Sequence, residues 1–480
     1  MGNSSCPERV LQVKLLVCPG GEIGRHARLK ILSPLGGAGS RPAPGTKTFF
    51  TAGSMNIQID PNVAQLKPSA TLAMHQRANA MRSDGELITH FGFGQSPFPV
   101  PDSIAEALAG NVHASAYLPT SGLPSLREAV SQFYREQHNY TFSADNVLIG
   151  PGSKDLIFHA LYLIEGDLLL PTPCWVSYAP QAQVSGKRVI PIRTNADTGY
   201  RTSAEDIERA IVSKGAQDTQ KILVLSNPNN PTGVQLSSSE LEAIASVCRK
   251  YNVIVISDEI YAQINFSENP YASLAHSYPE GTIVTSGISK AFSAGGYRLG
   301  VMLIPEALTA LVSPFLSMMG ETFGTVATPV QHAAEAAYRF DDSLAAIVRA
   351  TTSIHKFTGQ YLARRFRDMG LTCANPEGAF YLFPDWAPYR EGLFRRNITT
   401  GSELTAYIFD RASVALLPGS DFMMPDDCMA VRVASVDYDG AEVLRVFPGE
   451  GNMTEELTSS LFPHLVSGCD RLTELIAEIR

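Results

Sequence analysis

The chain has 480 residues, of which 44% are hydrophobic and 18% charged, enough for two domains with sizeable cores and typical of a globular protein. A net charge of −9 without a basic stripe argues against a nucleic-acid partner, and no apolar run approaches the roughly 18 residues that a membrane span needs. Seven cysteines lie scattered without a C-x-x-C pair, which indicates reduced thiols in a cytoplasmic setting, with neither a disulfide framework nor a metal site.

Residues 1–54 carry seven Lys/Arg against two Glu and include "SPLGGAGSRPAPG". They read as a disordered N-terminal extension. A mitochondrial transit peptide is the other reading, against which the Gly and Pro residues would interrupt an amphipathic helix. Residues 55–98 begin a small α/β domain. From 99 to 341 short apolar runs alternate with helical patterns: "NVLIG" precedes "SKDLIFHALYLI", and "DLLLP", "RVIPI" and "KILVLS" follow. The helical "SSSELEAIASVCRKYN" then leads to "VIVIS", "TIVTS" and "RLGVMLI". Buried runs of strand length interleaved with amphipathic helices predict an α/β domain with a mostly parallel central sheet flanked by helices. Residues 342–480 mix long helices with isolated strands, "AFYLF" and "AVRVAS", and join 55–98 in one smaller α/β domain built from both chain ends.

Open parallel sheets bind ligands outside the carboxyl ends of their strands. Five such ends carry special residues: "GPGSK" after "VLI", "PTPCWVSY" after "LLL", "NPNNPTG" after "ILVLS", "DEIY" after "VIVIS" and "GISK" after "TIVTS". Lys290, on a small-residue turn, is an amine that can attack a carbonyl, although a solvated lysine is the ordinary reading of the residue alone. Gly152, Ser153 and Lys154 present backbone N–H groups at a helix start, an anion site or a plain cap. Asp258 and Tyr261 are three apart and would share a face if "DEIY" turned helical. Trp175 and Asn230 by themselves read equally well as core filling and turn.

Together these parts fit one flat, phosphorylated heteroaromatic aldehyde, pyridoxal 5'-phosphate. Lys290 would hold the aldehyde, Arg298 and residues 152–154 the phosphate, and Asp258 a protonated ring nitrogen. Asn230 and Tyr261 would bond the ring hydroxyl, and Trp175 would stack on the ring.

From Asn56 to the C-terminus the chain resembles the class I pyridoxal-phosphate aminotransferases of fold type I, in the subgroup of bacterial aspartate and aspartate/prephenate aminotransferases. "SAYLPTSGLPSLREAV", "SNPNNPTG", "SDEIY", "SKAFSAGGYRLG", "NPEGAFYLF" and "VRVAS" carry the resemblance, in the family's order. It implies transamination between an L-amino acid, aspartate or glutamate, and a 2-oxo acid. Another pyridoxal-phosphate reaction on the same scaffold (a lyase or an aminocyclopropane-carboxylate synthase), or transamination of aromatic or neutral amino acids, is the alternative. The resemblance further implies that Tyr117 reaches the phosphate of a neighbouring subunit in a homodimer. Gly94 would bring its backbone to the substrate carboxylate, Arg432 would clamp that carboxylate, and Lys154 would take the distal one. Where many relatives carry Ser three residues before the lysine, this chain has Gly287; Ser286 or Ser289 would stand in.

Overall fold

A computed structural model of the chain describes residues 49–52, 55–66 and 70–480. Most of the expected extension, residues 1–48 with 53 and 54, lies outside them. Within it β1 (Phe49–Ala52) pairs antiparallel with β2 (Met55–Gln58), Phe49 opposite Gln58. The disordered reading of 1–54 overlooked this strand, whose aromatic and β-branched residues in "FFTA" suit a pleated ribbon.

Residues 59–480 form a separate compact unit. Its first strand is β3 (Thr89–His90). Seven strands then build one sheet: β4 (Val147–Gly150), β5 (Asp167–Thr172), β6 (Val189–Arg193), β7 (Lys221–Ser226), β8 (Val253–Asp258), β9 (Thr282–Gly287) and β10 (Gly300–Leu303). Their order is β4-β10-β9-β8-β7-β5-β6, with β9, β8, β7, β5 and β6 parallel and β10 antiparallel to both neighbours. The apolar runs are strands because both faces are covered: Ile222, Leu223, Val255, Ile256 and Ile283 are all fully buried. The intervening helices start where the sequence caps them. Ser203 and Asp206 form a capping box for Ala204–Ser213, and Ser237 and Glu240 one for Ser238–Lys250.

One expectation needs correction, and one condition is not met. "RLGVMLI" supplies a strand only over Gly300–Leu303, and Arg298 stays outside it in a left-handed conformation with φ 53°. "DEIY" does not turn helical; β8 ends at Asp258 and the chain bends through Ala262 N–H to Glu259 O and Ile264 N–H to Tyr261 O. Pinning to the sheet decides this, since Glu259 N–H donates to Thr285 O in β9.

The C-terminal third opens with the long helix Asp342–Asp368, capped by Asp341. It continues through β11 (Tyr381–Leu382), β12 (Val414–Ala415), β13 (Leu417–Pro418) and β14 (Val431–Ala434). β11, β14 and β13 make an antiparallel sheet, and β12 pairs with β3 in parallel, Val414 opposite Thr89. One core joins Phe91 and Phe98 to Leu362, Trp386, Leu404, Leu465 and Leu472. Each such buried side chain contributes about 1.5–3 kcal/mol, so segments more than 250 residues apart are firmly tied.

Candidate active site

The carboxyl ends of the parallel strands and the β11–β14 sheet meet around Lys290. Its Nζ donates to Gly94 O at 2.8 Å, and lies 5.7 Å from the centre of the Tyr261 ring and 5.6 Å from that of Phe380. Burial pushes the amine below its ordinary pKa, and the charges of Arg432 and Arg298 add to this while Tyr381 and Asp258 oppose it. The extended segment bearing Gly94 is held in place by a 2.7 Å bond between Ser96 and Ser293 hydroxyls, three residues past the lysine.

Asp258, at the tip of β8, is 4% exposed. Burial pushes its carboxyl up to about 6, against the pull of a 2.6 Å bond donated by Tyr178 and the Lys290 charge. Behind the turn, Glu259 accepts bonds from Ser257, Ser273 and Tyr140 hydroxyls at 2.8, 2.5 and 2.7 Å. These fix the backbone from which Asp258 and Tyr261 project. Burial pushes the Glu259 carboxyl up to about 7.

Arg432, on β14, is 3% exposed and lies between two rings, its guanidinium carbon 4.7 Å from the centre of Tyr381 and 5.1 Å from that of Phe422. It donates to Gly92 O at 2.7 Å and to Asn230 Oδ1 at 3.4 Å, and its buried Nε has no partner. On the other side, Arg298 donates to Gly295 O and Pro151 O at 2.8 and 3.3 Å. Gly152 has φ +96°, and a Cβ there would stand 2.3 Å from an Arg298 guanidinium nitrogen. Glycine is therefore required for both the turn and the close approach. Lys154 extends over Trp175, its Nζ 5.5 Å from the ring centre, and desolvation and the Arg298 charge lower its pKa. Trp175 in turn packs edge-on against Tyr178.

Most of the residues singled out in the sequence thus form one chain of contacts. Tyr117 stands apart on the surface, 96% exposed. Of the two serines, Ser286 donates back to Glu259 O at 3.3 Å, while Ser289 is half-buried on the turn next to the lysine. Sequence reasoning missed Tyr178, Glu259, Tyr381 and Phe422. Tyr178, three residues beyond Trp175, and Tyr381, in the quoted "AFYLF", were reachable by spacing; Phe422 carried no local signal.

Residues 87–444, more than half of the chain, match the family model described as aminotransferase class I and II. The chain belongs to that family. Among curated relatives, this aminotransferase is 29% identical over 402 residues to an aspartate aminotransferase of Geobacillus stearothermophilus, covering 81% of this chain and 98% of the relative. It is 30% identical to the aspartate aminotransferase of Pinus pinaster over 79% of this chain and 78% of that one. The solved aspartate aminotransferase of Thermus thermophilus shares the fold, with a TM-score of 0.74 at 24% identity over 87% of this chain and 99% of the other.

The enzyme is a pyridoxal-phosphate-dependent transaminase, and its cleft fits that cofactor. Among the described residues none of Lys154, Lys290, Arg298 and Arg432 forms an ion pair, so the site is rich in positive charge that phosphate and carboxylate groups would balance. The orphaned Arg432 Nε and the side-chain-free approach at Gly152 are further openings for anions. Gly152→Ala is expected to cost about 1–3 kcal/mol of stability, because φ 96° with ψ 154° lies in a region essentially confined to glycine. It should also displace Arg298 and weaken cofactor uptake about tenfold, read by titrating apoenzyme with pyridoxal phosphate.

Proposed function

We propose that the enzyme transaminates a dicarboxylic L-amino acid, aspartate or glutamate, against a 2-oxo acid. Bound pyridoxal phosphate supplies a carbonyl carbon to receive the amino group and a ring that withdraws electrons from it. In this reading Lys290 Nζ would anchor the cofactor, then take the proton from the substrate α-carbon as base and deliver it as acid to the carbon that was the cofactor's carbonyl. Its lowered pKa suits the basic half of that task. Asp258 would hold the ring nitrogen, Asn230 and Tyr261 the ring hydroxyl, and Trp175 the ring. Gly152, Ser153, Ser289 and Arg298 would hold the phosphate, and Arg432 with the Gly94 backbone the α-carboxylate, for which a guanidinium fork is better shaped than an ammonium.

A homodimer is proposed in which Tyr117, whose ring is nearly fully exposed and so accessible to a second subunit, would complete the neighbouring phosphate site. Residues 59–98 and 342–480 are proposed to act as one small domain beside the cofactor-binding 99–341, on the strength of the core that Phe91 and Phe98 share with the C-terminal segment; residues 55–58, in β2, fall in the other compact unit. Among the described residues no helix is long and apolar enough to cross a membrane, and no cluster of residues could hold a metal ion.

The observation that carries the acidic donor is Lys154, a second cation at the cleft that Arg298 and burial make costly without an anion. The relatives named aspartate aminotransferase lend the same direction. Lys154→Ala is expected to lower kcat/KM for aspartate and glutamate by about one to two orders of magnitude, the scale of one charge-assisted bond of roughly 1.5–3 kcal/mol. Alanine and phenylalanine turnover should hold. An equal fall for all donors would assign Lys154 to the cofactor and remove the case for acidic donors.

A further inference from the structure

Tyr381 belongs to no role assigned above, yet it touches three parts of the site. Its hydroxyl lies 2.9 Å from the Tyr261 hydroxyl and 3.5 Å from Gly94 O, the carbonyl that also accepts from Lys290. Its ring forms one face of the sandwich around the Arg432 guanidinium. The residue is 2% exposed, and a Cβ on Gly94 would fall 2.0 Å from its hydroxyl oxygen, so the missing side chain at 94 is the space that oxygen fills.

We propose that Tyr381 is a positioning residue that sets the direction of the Tyr261 proton with its hydroxyl and the plane of the Arg432 guanidinium with its ring. The proposal rests on the placement of the cofactor hydroxyl beside Tyr261 given above. The first half follows from counting protons. Each phenol has one O–H. If Tyr261 spends its proton on Tyr381, none remains for the cofactor. Among the described residues Tyr381 has one rival acceptor, Gly94 O at 3.5 Å, which is at the limit of a hydrogen bond. Donation from Tyr381 to Tyr261 at 2.9 Å is the better geometry, and it leaves the Tyr261 proton aimed away from Tyr381.

The second half follows from Arg432's surroundings. Two acceptors, Gly92 O and the more distant Asn230 Oδ1, hold the terminal nitrogens, Nε is unbonded, and the Asp421 carboxylate acts on the guanidinium through its charge. Rings on both faces, Tyr381 and Phe422, hold that plane. One side chain therefore links the clamp for the substrate carboxylate to the bond that tunes the cofactor.

Two variants separate the two jobs. Tyr381→Phe removes the hydroxyl and keeps the ring. In enzyme loaded with pyridoxal phosphate, the pH midpoint of the cofactor absorbance change should rise by about 0.2–0.5 unit, because Tyr261 keeps its own proton for the cofactor but loses the donor that polarises it and strengthens that bond. Its KM for whichever amino donor the enzyme turns over should stay within about twofold. Tyr381→Leu should show the same midpoint shift and also raise KM by about 3–30-fold, the range of a lost cation–π contact. A midpoint unmoved in Tyr381→Phe overturns the hydroxyl role, and equal KM values in the two variants overturn the ring role. If Tyr381→Leu does not fold, Tyr381→Met takes its place. The absorbance titration uses no amino acid, so it succeeds or fails independently of the acidic-donor reading.

Discussion

Lys290→Ala should abolish turnover. The variant would lose both the amine proposed to anchor the cofactor and the proposed base for the α-proton, and positioned general acid–base groups alone account for about 10²–10⁴-fold. Borohydride reduction of the loaded wild-type enzyme should fix the cofactor to a peptide containing Lys290, and the variant should yield no such adduct. The geometry favours this lysine over the other cations of the cleft. Its amine is desolvated among Tyr261, Phe380 and the Gly94 carbonyl, and nearby Arg432 and Arg298 disfavour its protonation. Lys154 lies instead over Trp175 at the helix start. Normal steady-state transamination by Lys290→Ala would rule the assignment out.

Asp258→Asn should slow proton abstraction by about two to three orders of magnitude and loosen the cofactor. A carboxylate only 4% exposed, its pKa pushed up to about 6, is costly to ionise without a cationic partner. A protonated ring nitrogen would be that partner, and breaking a buried pair costs about 3–5 kcal/mol. Asparagine keeps the shape and the contact with Tyr178 but cannot hold the ring proton. Asp258→Glu should retain partial activity because the charge survives. Near-normal rates for Asp258→Asn, measured by single-turnover absorbance, would mean that another acid holds the ring.

The strands of the central sheet were legible because each is a short apolar run buried on both faces, and Lys290, Asp258, Tyr261 and Asn230 were legible because each follows such a run directly. What escaped was set by distant chain. Tyr381 lies in a quoted strand, but its bond to Tyr261 spans 120 residues of sequence. Phe422 meets Arg432 only through the fold of the β13–β14 region. Glu259 sat inside "DEIY", yet its three hydroxyl donors come from Ser257, Ser273 and Tyr140, two of them remote. The condition under which Asp258 and Tyr261 would share a helical face is not met, because Glu259 N–H is bonded to Thr285 O in the neighbouring strand.

The reversed direction of β10 has a consequence for how the site comes together. Because β10 runs back along β9, with Gly300 opposite Gly287, the turn between them alone brings Lys290 and Arg298 to one sheet edge. The loop-closure entropy for that pair is small, since few residues intervene. Arg432 reaches Gly92 across 340 residues, a far costlier closure that only the packing of distant segments repays. The proposed carboxylate clamp therefore depends on the packing of Phe91 and Phe98 against the C-terminal third, whereas one turn of the sheet suffices to bring Lys290 and Arg298 together.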